Sequence, residues 1–375
     1  VLWVTLASCA RAHPAVGPAS AVAIQAQPRI VTPDEAITET ELAARAAKAL
    51  AEQRWRDAAR DYGTLVRAEP DGPRVAEYLF DQGLALEGCQ DRARARDVFL
   101  DLSRRFPGSA RARVALVRAA TLDAYLEDWS ALEAIGEALL AQEGAEDIER
   151  LVALGARGLG RVELGDDRAA SQDILDGLEL ADRLHYGARD VLPVAVAELH
   201  FALGELRRIR SERIQLGPLA PDFRDEDFLG PLDRRCGGLL EAQAAYARAV
   251  RSVDPHWAAM AGYRVGEMYR ALHADLMRLS PDASKSEAKK QMFYAFMHVR
   301  YRVLLEKGLR EIEQTIALGE RIADSSLWME RARGAKAQML AVLDDERAQI
   351  AAMPFTEAEV QEALNQLQKK TKSSR

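Results

Sequence analysis

One spacing occurs twice in this chain and constrains its fold more than any other feature. Ala58, Tyr62, Leu65 and Pro70 stand four, three and five residues apart, and Ala95, Phe99, Leu102 and Pro107 repeat those offsets 37 residues later. Steps of three and four put side chains on one face of a helix. A proline shortly after stops that helix, because it cannot continue the hydrogen-bond ladder. Two helices built and ended alike, in register, mark a repeated unit that buries its apolar face only by stacking on neighbours. Small residues at Gly83 and Ala95 let the two helices of a unit approach closely, and the rings of Tyr62 and Phe99 are expected to fill the gap towards the next unit.

The pattern resembles the tetratricopeptide repeat, a helix–turn–helix unit of about 34 residues. Looser copies follow: Ala120 to Leu140 around Trp129; Leu154, Gly158, Gly165, Ala170 and Ile174; a second helix at Ala242, Tyr246 and Ala249 before Pro255; and a first helix beginning at Gly266 and Tyr269. The resemblance spans roughly 34–350. It implies an all-α fold, a right-handed superhelical array of antiparallel helix pairs ending in long C-terminal helices, the longest expected from Lys285 to Ile322. The array is expected over 33–216 and 235–350, opening at Thr32, Pro33 and Glu35, which suit an N-cap, a first helical position and a capping glutamate. An acidic loop rich in Pro and Gly interrupts it at 217–234. A capping box at Thr356 and Glu359 starts a terminal amphipathic helix to Leu367, and a solvated basic tail closes 351–375.

Composition narrows the function. Acidic residues exceed basic ones, 58 to 51, with a net charge of −7, which argues against a general nucleic-acid binder. No apolar run reaches the roughly 18 residues of a membrane-spanning helix. Three cysteines cannot form a disulfide-rich scaffold, and Cys89 and Cys236 fall in different repeats, where pairing is not expected. No phosphate loop, HExxH, nucleophile elbow or CxxC is present, so neither enzymatic activity nor a cofactor is expected. Gly155, Gly158 and Gly160 lack the dinucleotide-binding order and read as packing positions. The histidines are scattered, with Glu198 and His200 on different helix faces, and read as satisfied core or surface residues without a metal pair. The acidic runs Asp166-Asp167 and Asp344-Asp345-Glu346 read as a helix turn and a solvated face.

The beginning carries a different signal. Leu6-Ala7-Ser8-Cys9 resembles the lipobox of bacterial lipoproteins, in which the cysteine thiol takes a diacylglycerol. Residues 1–9 are expected to be a shortened signal-like segment with Cys9 as the lipidation site. Residues 10–32, with Pro14, Gly17, Pro18 and Pro28, read as an extended tether.

In the family, first helices line a concave groove. That resemblance places Phe80, Asp81, Leu84 and Glu87 of one unit, Val117, Arg118, Thr121 and Tyr125 of the next, and Tyr263, Arg264, Glu267 and Arg270 of a later one in a partner-binding face. Tyr125, Tyr263, Arg118 and Arg264 are expected to dominate, since buried aromatic and Arg side chains carry most binding energy. The lysine–asparagine clamp of chaperone-binding members has no match, because groove lysines are missing. Phe223 and Phe228 are candidate docking rings in the acidic loop. The function these features imply is a protein-interaction scaffold, anchored by lipid on the periplasmic side of the outer membrane in an envelope assembly (outer-membrane biogenesis, pilus or gliding motility). The partners would be other proteins of that assembly and the membrane itself, with no nucleic acid. The rival expectation is a cytoplasmic adaptor or regulator in which Cys9 carries no lipid.

Overall fold

The turns inside the first four helix pairs share one construction. A residue in the left-handed region stands at Gln53, Gln90, Glu127 and Gly165, and a second helix begins two residues later. Asp91, Asp128 and Asp166 cap three of these helices by accepting from the backbone N–H of Arg94, Ala131 and Ala169. Such caps satisfy amide groups that the helix leaves without partners. Holding a non-glycine residue at positive φ costs ~1–2 kcal/mol, so Gly165, at φ 92°, is the relaxed version of the turn.

A computed structural model describes residues 37–186, 191–217, 226–252, 254–281, 285–322 and 326–373. Fourteen helices occupy them, and no strand occurs among the described residues. Four pairs come first: α1 (Glu39–Ala51) with α2 (Trp55–Ala68), α3 (Val75–Gly88) with α4 (Arg92–Arg105), α5 (Ala110–Leu126) with α6 (Trp129–Leu140), and α7 (Asp147–Leu164) with α8 (Asp167–Arg183). Longer helices follow: α9 (Val194–Glu212) with α10 (Glu226–Ala249), then α11 (Pro255–Met277) with α12 (Glu287–Arg321). The last two are α13 (Leu327–Ala351) and α14 (Glu357–Ser373), both packed on α12. Each pair also packs on the next, and the first helices α3, α5, α7, α9 and α11 touch in succession.

Within a pair, a small residue on the first helix receives a large one from the second. Ala46 and Tyr62, Gly83 and Phe99, Ala119 and Ile135, and Gly158 and Ile174 are all buried and all sixteen residues apart. A Cβ added to Gly83 would lie 2.4 Å from the Phe99 ring, and one on Gly158 would lie 2.9 Å from Ile174. The same contact recurs in the longer pairs, Gly204 against Tyr246 and Gly266 against Ile312. Phe99 therefore fills a gap inside its own pair, where the sequence suggested a bridge to the next. Tyr62 does reach the next pair, its ring 6.1 Å from that of Tyr78. Arginine forks add to the lock: Arg45 donates to Asp61 at 2.7 and 3.0 Å, and Arg157 to Asp173 at 3.0 and 2.7 Å, again sixteen residues apart.

Several boundaries differ from the sequence reading. The first described helix is capped by Thr38, whose side chain accepts from Glu41 N–H while Glu41 reaches back; the Thr32 start lies outside the described residues, as do Cys9 and the tether. Helix α10 begins at Glu226, inside the expected loop, and carries Pro231 within it. Phe228 is 1% exposed in that helix, so it is a core anchor and not a docking ring; Phe223 lies outside the described residues. The capping box at Thr356 and Glu359 forms, and α14 runs on to Ser373, through the stretch read as a tail.

The glycine contact gives a direct test. Gly83→Val should destabilise the protein by about 1–3 kcal/mol through overpacking, measured by urea unfolding. Gly237→Ala, where a Cβ meets nothing within 4 Å, should instead gain about 0.5–1 kcal/mol of helix propensity. Equal effects at the two positions would contradict the packing.

Candidate functional site

The sequence-derived groove residues divide into two sets. On α3 and α5, Phe80, Asp81, Leu84, Glu87, Val117, Arg118 and Thr121 are all half-exposed. Three ion pairs join these helices across the pair boundary, Arg118 to Glu87 at 2.7 Å, Arg111 to Asp81 at 3.4 Å and Arg111 to Glu77 at 3.9 Å. Both guanidinium groups lie over the Phe80 ring, at 6.0 and 4.9 Å from its centroid. The result is a continuous face with an aromatic centre and charged edges. Burial pushes the carboxyl groups of Asp81 and Glu87 up, against the opposing pull of Arg111 and Arg118.

The other set is engaged by the chain itself. The Tyr125 hydroxyl donates to Asp254 at the start of α11, and its ring lies 4.0 Å from that of His256. Glu127, at the end of α5, pairs with Arg331 of α13 at 2.6 Å. Tyr263 packs on Trp328 with centroids 5.4 Å apart. Arg264 lies 3.0 Å from Glu205 and over the Trp328 ring. Glu267 and Arg270 pair with each other at 2.7 Å. Of the expected anchors, Tyr125 ties the third pair to the start of α11, Tyr263 and Arg264 tie α11 to α13 and α9, and Arg118 is the one that stays on the α3–α5 face. A polar cavity of about 610 Å³ remains beside this junction, lined by Glu87, Arg92, Tyr125, Asp254 and His256 among others.

Behind the junction lies a polar cluster that the sequence did not reveal. Glu205 is fully buried and accepts from Arg208 and, at 2.7 Å, from the Tyr246 hydroxyl. Burial raises its carboxyl, but Arg264 and Arg208 outweigh that and hold it below the usual range. Glu163 beside it is pushed up to about 7, by burial first and by Glu205 second. Glu198, on α9 against Gly155, is 1% exposed, and burial alone pushes it up to about 8. His256 is driven down to about 3 by burial, then by Arg92 and Arg331, and its neutral Nε2 accepts from Trp328 Nε1 at 3.2 Å. These residues come from five helices, α7, α9, α10, α11 and α13, so the spacing within any one of them does not announce the cluster.

A second cavity, about 770 Å³, opens between α11, α12 and α13. Its floor holds His273, His298 and Glu346, all buried. The acidic run that includes Glu346 is therefore not wholly a solvated face: Asp344 and Asp345 are exposed, and Glu346 points inward at 2% exposure. His298 Nδ1 hydrogen-bonds Glu346 Oε1 at 3.0 Å. His273 Nε2 is 2.9 Å from the same oxygen, within ion-pair range but off the line of a hydrogen bond. Burial raises the Glu346 carboxyl, yet the two imidazoles outweigh it and bring the group to about 2. Among the described residues, no group of three His, Cys, Asp or Glu is arranged to hold a metal ion. Cys89 and Cys236 are free thiols.

No protein-family model matches the chain, and no curated protein matches it. Among solved structures, the chain is similar to a tetratricopeptide repeat protein from Parabacteroides merdae, with 14% identity and a TM-score of 0.41 over 79% of this chain and 98% of that one.

Glu198 supplies a test with a defined sign. Its folded value, about 8, exceeds the ordinary glutamate value of 4.5, so between those limits the unfolded chain releases the proton and the folded chain keeps it. The folded state consequently loses stability as pH rises through that window. Glu198→Gln removes the loss and should stabilise the protein by about 2 kcal/mol or more near pH 9 relative to pH 5, read as a pH-dependent gain in Tm. An equal gain at both values would contradict the burial of an isolated carboxyl.

Proposed function

We propose that this chain is a non-enzymatic protein-interaction scaffold whose partner lies across α3 and α5. The α3–α5 face carries this reading: Phe80, Leu84, Val117 and Thr121 form a half-exposed row, and two arginines flank its ring. Such a row suits a partner segment that buries Phe80 and competes for Arg118, since aromatic and Arg anchors dominate interface energies. The carboxylates Asp81 and Glu87 at its edge set approach and register more than affinity.

The finer proposal is that the scaffold is a lipoprotein of a bacterial envelope assembly, on the periplasmic side of the outer membrane. It rests on the sequence Leu6-Ala7-Ser8-Cys9 and on the extended composition of 10–32. An acyl anchor at Cys9 holds a protein at a membrane without a spanning helix, and a tether lets the array reach partners away from the surface. Outer-membrane biogenesis, pilus assembly and gliding motility are the assemblies in which such a part serves.

Photoreactive residues at positions 84, 117 and 121, in cells that make the protein natively, should crosslink one protein partner. Phe80→Ala combined with Arg118→Glu should weaken that interaction by about 2 kcal/mol or more, roughly thirtyfold. No crosslink at any of the three positions would defeat the scaffold reading at this face. Labelling with a palmitate analogue should mark the protein and fail for Cys9→Ser; equal labelling of both, or none of either, would leave a cytoplasmic adaptor as the better description.

A further inference from the structure

We infer that the cleft between α11, α12 and α13 is a second docking site, which takes a lysine or arginine side chain flanked by apolar residues on a protein partner. The inference rests on the scaffold reading for its kind of partner, but on separate residues.

The cleft has the build of a ligand site: a largely apolar wall with a few polar groups gathered at the floor, in the size range of about 300–1,000 Å³. Ala274, Met277, Leu305, Val342 and Met353 supply the wall. The two methionines let the wall adapt to a long aliphatic stem. At the floor, both imidazoles approach Glu346 Oε1, while Oε2 is buried and has no hydrogen-bond partner. A buried carboxylate oxygen without a donor costs ~1–3 kcal/mol or more. An N–H group on an apolar stem, entering from the cleft, provides the donor that is missing.

The rim selects the sign of charge. Arg270 is tied to Glu267 at 2.7 Å and Arg278 to Asp275 at 2.8 Å, each on its own helix. Asp345 accepts only from the Gln349 amide, and no basic side chain pairs with it among the described residues. The cations that face the cleft are already neutralised locally, whereas Asp345 at the rim and Glu346 at the floor have no Lys or Arg partner. A basic side chain passing Asp345 to Glu346 meets carboxylates at both depths, and its methylenes cover Met277, Val342 and Met353. An acidic or neutral segment of the same shape meets the same wall without that gain.

The test uses the whole chain labelled at its methionine methyl groups, with NMR as readout. The probes are the peptide acetyl-Ser-Leu-Lys-Leu-Ser-amide and its counterpart with norleucine at the central position. The lysine peptide should shift the Met277 and Met353 methyl signals and bind at least tenfold tighter than the norleucine peptide. Glu346→Gln and Asp345→Asn should each reduce that preference, and Met353→Trp should abolish binding of both peptides by filling the cleft. Because Glu346→Gln also disturbs two histidines, the exposed Asp345→Asn is the variant that keeps the test valid if the first fails to fold. Equal binding of the two peptides, or no shift from either, would overturn the inference. Free 4-phenylbutylamine binding as tightly as the lysine peptide would overturn the protein source and assign the cleft to small amines. Either failure leaves the crosslinks at 84, 117 and 121 unaffected, and loss of those crosslinks leaves the cleft measurement standing, so the two readings fail separately.

Discussion

The structure depends on one repeated contact, a small residue on the first helix of a pair receiving a bulky residue from the second. Gly83 and Phe99 show why it is decisive: with a Cβ only 2.4 Å from the ring, no larger residue fits at that helix separation. Close approach brings the backbones within reach of many weak dispersion contacts, which sum to a large stabilisation. It also fixes the azimuth of each pair, because the sixteen-residue spacing ties one position on the first helix to one on the second. Once that angle is set, the remaining faces of both helices can only meet the neighbouring pairs. The arginine forks at Asp61 and Asp173 reinforce the same register with directional bonds between Arg and carboxylate.

The register was legible where both partners lie close in sequence and the turn between them is short. Tyr62 and Phe99, with their prolines, displayed it openly. Ile135 and Ile174 hold the same positions but carry no aromatic ring, so their pairs read as degenerate. For Tyr246 the first-helix partner, Gly204, lies beyond a long connection, and spacing offers no guide across it. Pro231 misled for a related reason. Proline is a fair loop signal in isolation, but burial of Phe228 and Leu232 on either side of it holds the chain helical there. The face at Phe80 and Arg118 could be located from the repeat alone. The cleft at Glu346 could not, because His273, His298 and Glu346 meet only through the packing of three separate helices, and the charged neighbours of Glu346 disguise it as a surface residue.

A pure nearest-neighbour solenoid has independent units, each touching only the next. This chain departs from that limit. Tyr125 and Glu127 of the third pair reach Asp254 and Arg331 near the other end, and Arg264 of α11 reaches Glu205 of α9 and the Trp328 ring of α13. These contacts are buried or half-buried, and breaking the pair of Arg264 with the fully buried Glu205 leaves a desolvated charge without its partner, a loss of several kcal/mol in other buried pairs. Pairs three, five and six and α13 are thereby tied by contacts beyond the nearest neighbour, while the ion pairs described for α1 to α4 run within a pair or to the next one.

That division explains why the two proposed docking sites differ in chemistry. On α3 and α5 the groups that would clasp a partner are half-exposed, and their ion pairs cross from one pair to the next; a partner there exchanges weak surface bonds for its own contacts at little cost. In the cleft Glu346 and its two histidines are already desolvated by the packing of three helices, and Asp345 at the rim is exposed. A partner side chain entering it does not have to remove the water from Glu346, because folding has already done so. Preorganisation of that kind favours a single deep contact over a broad one. An extended face and a narrow charged socket on one chain suit two different partner elements, a segment laid across helices and a side chain inserted between them.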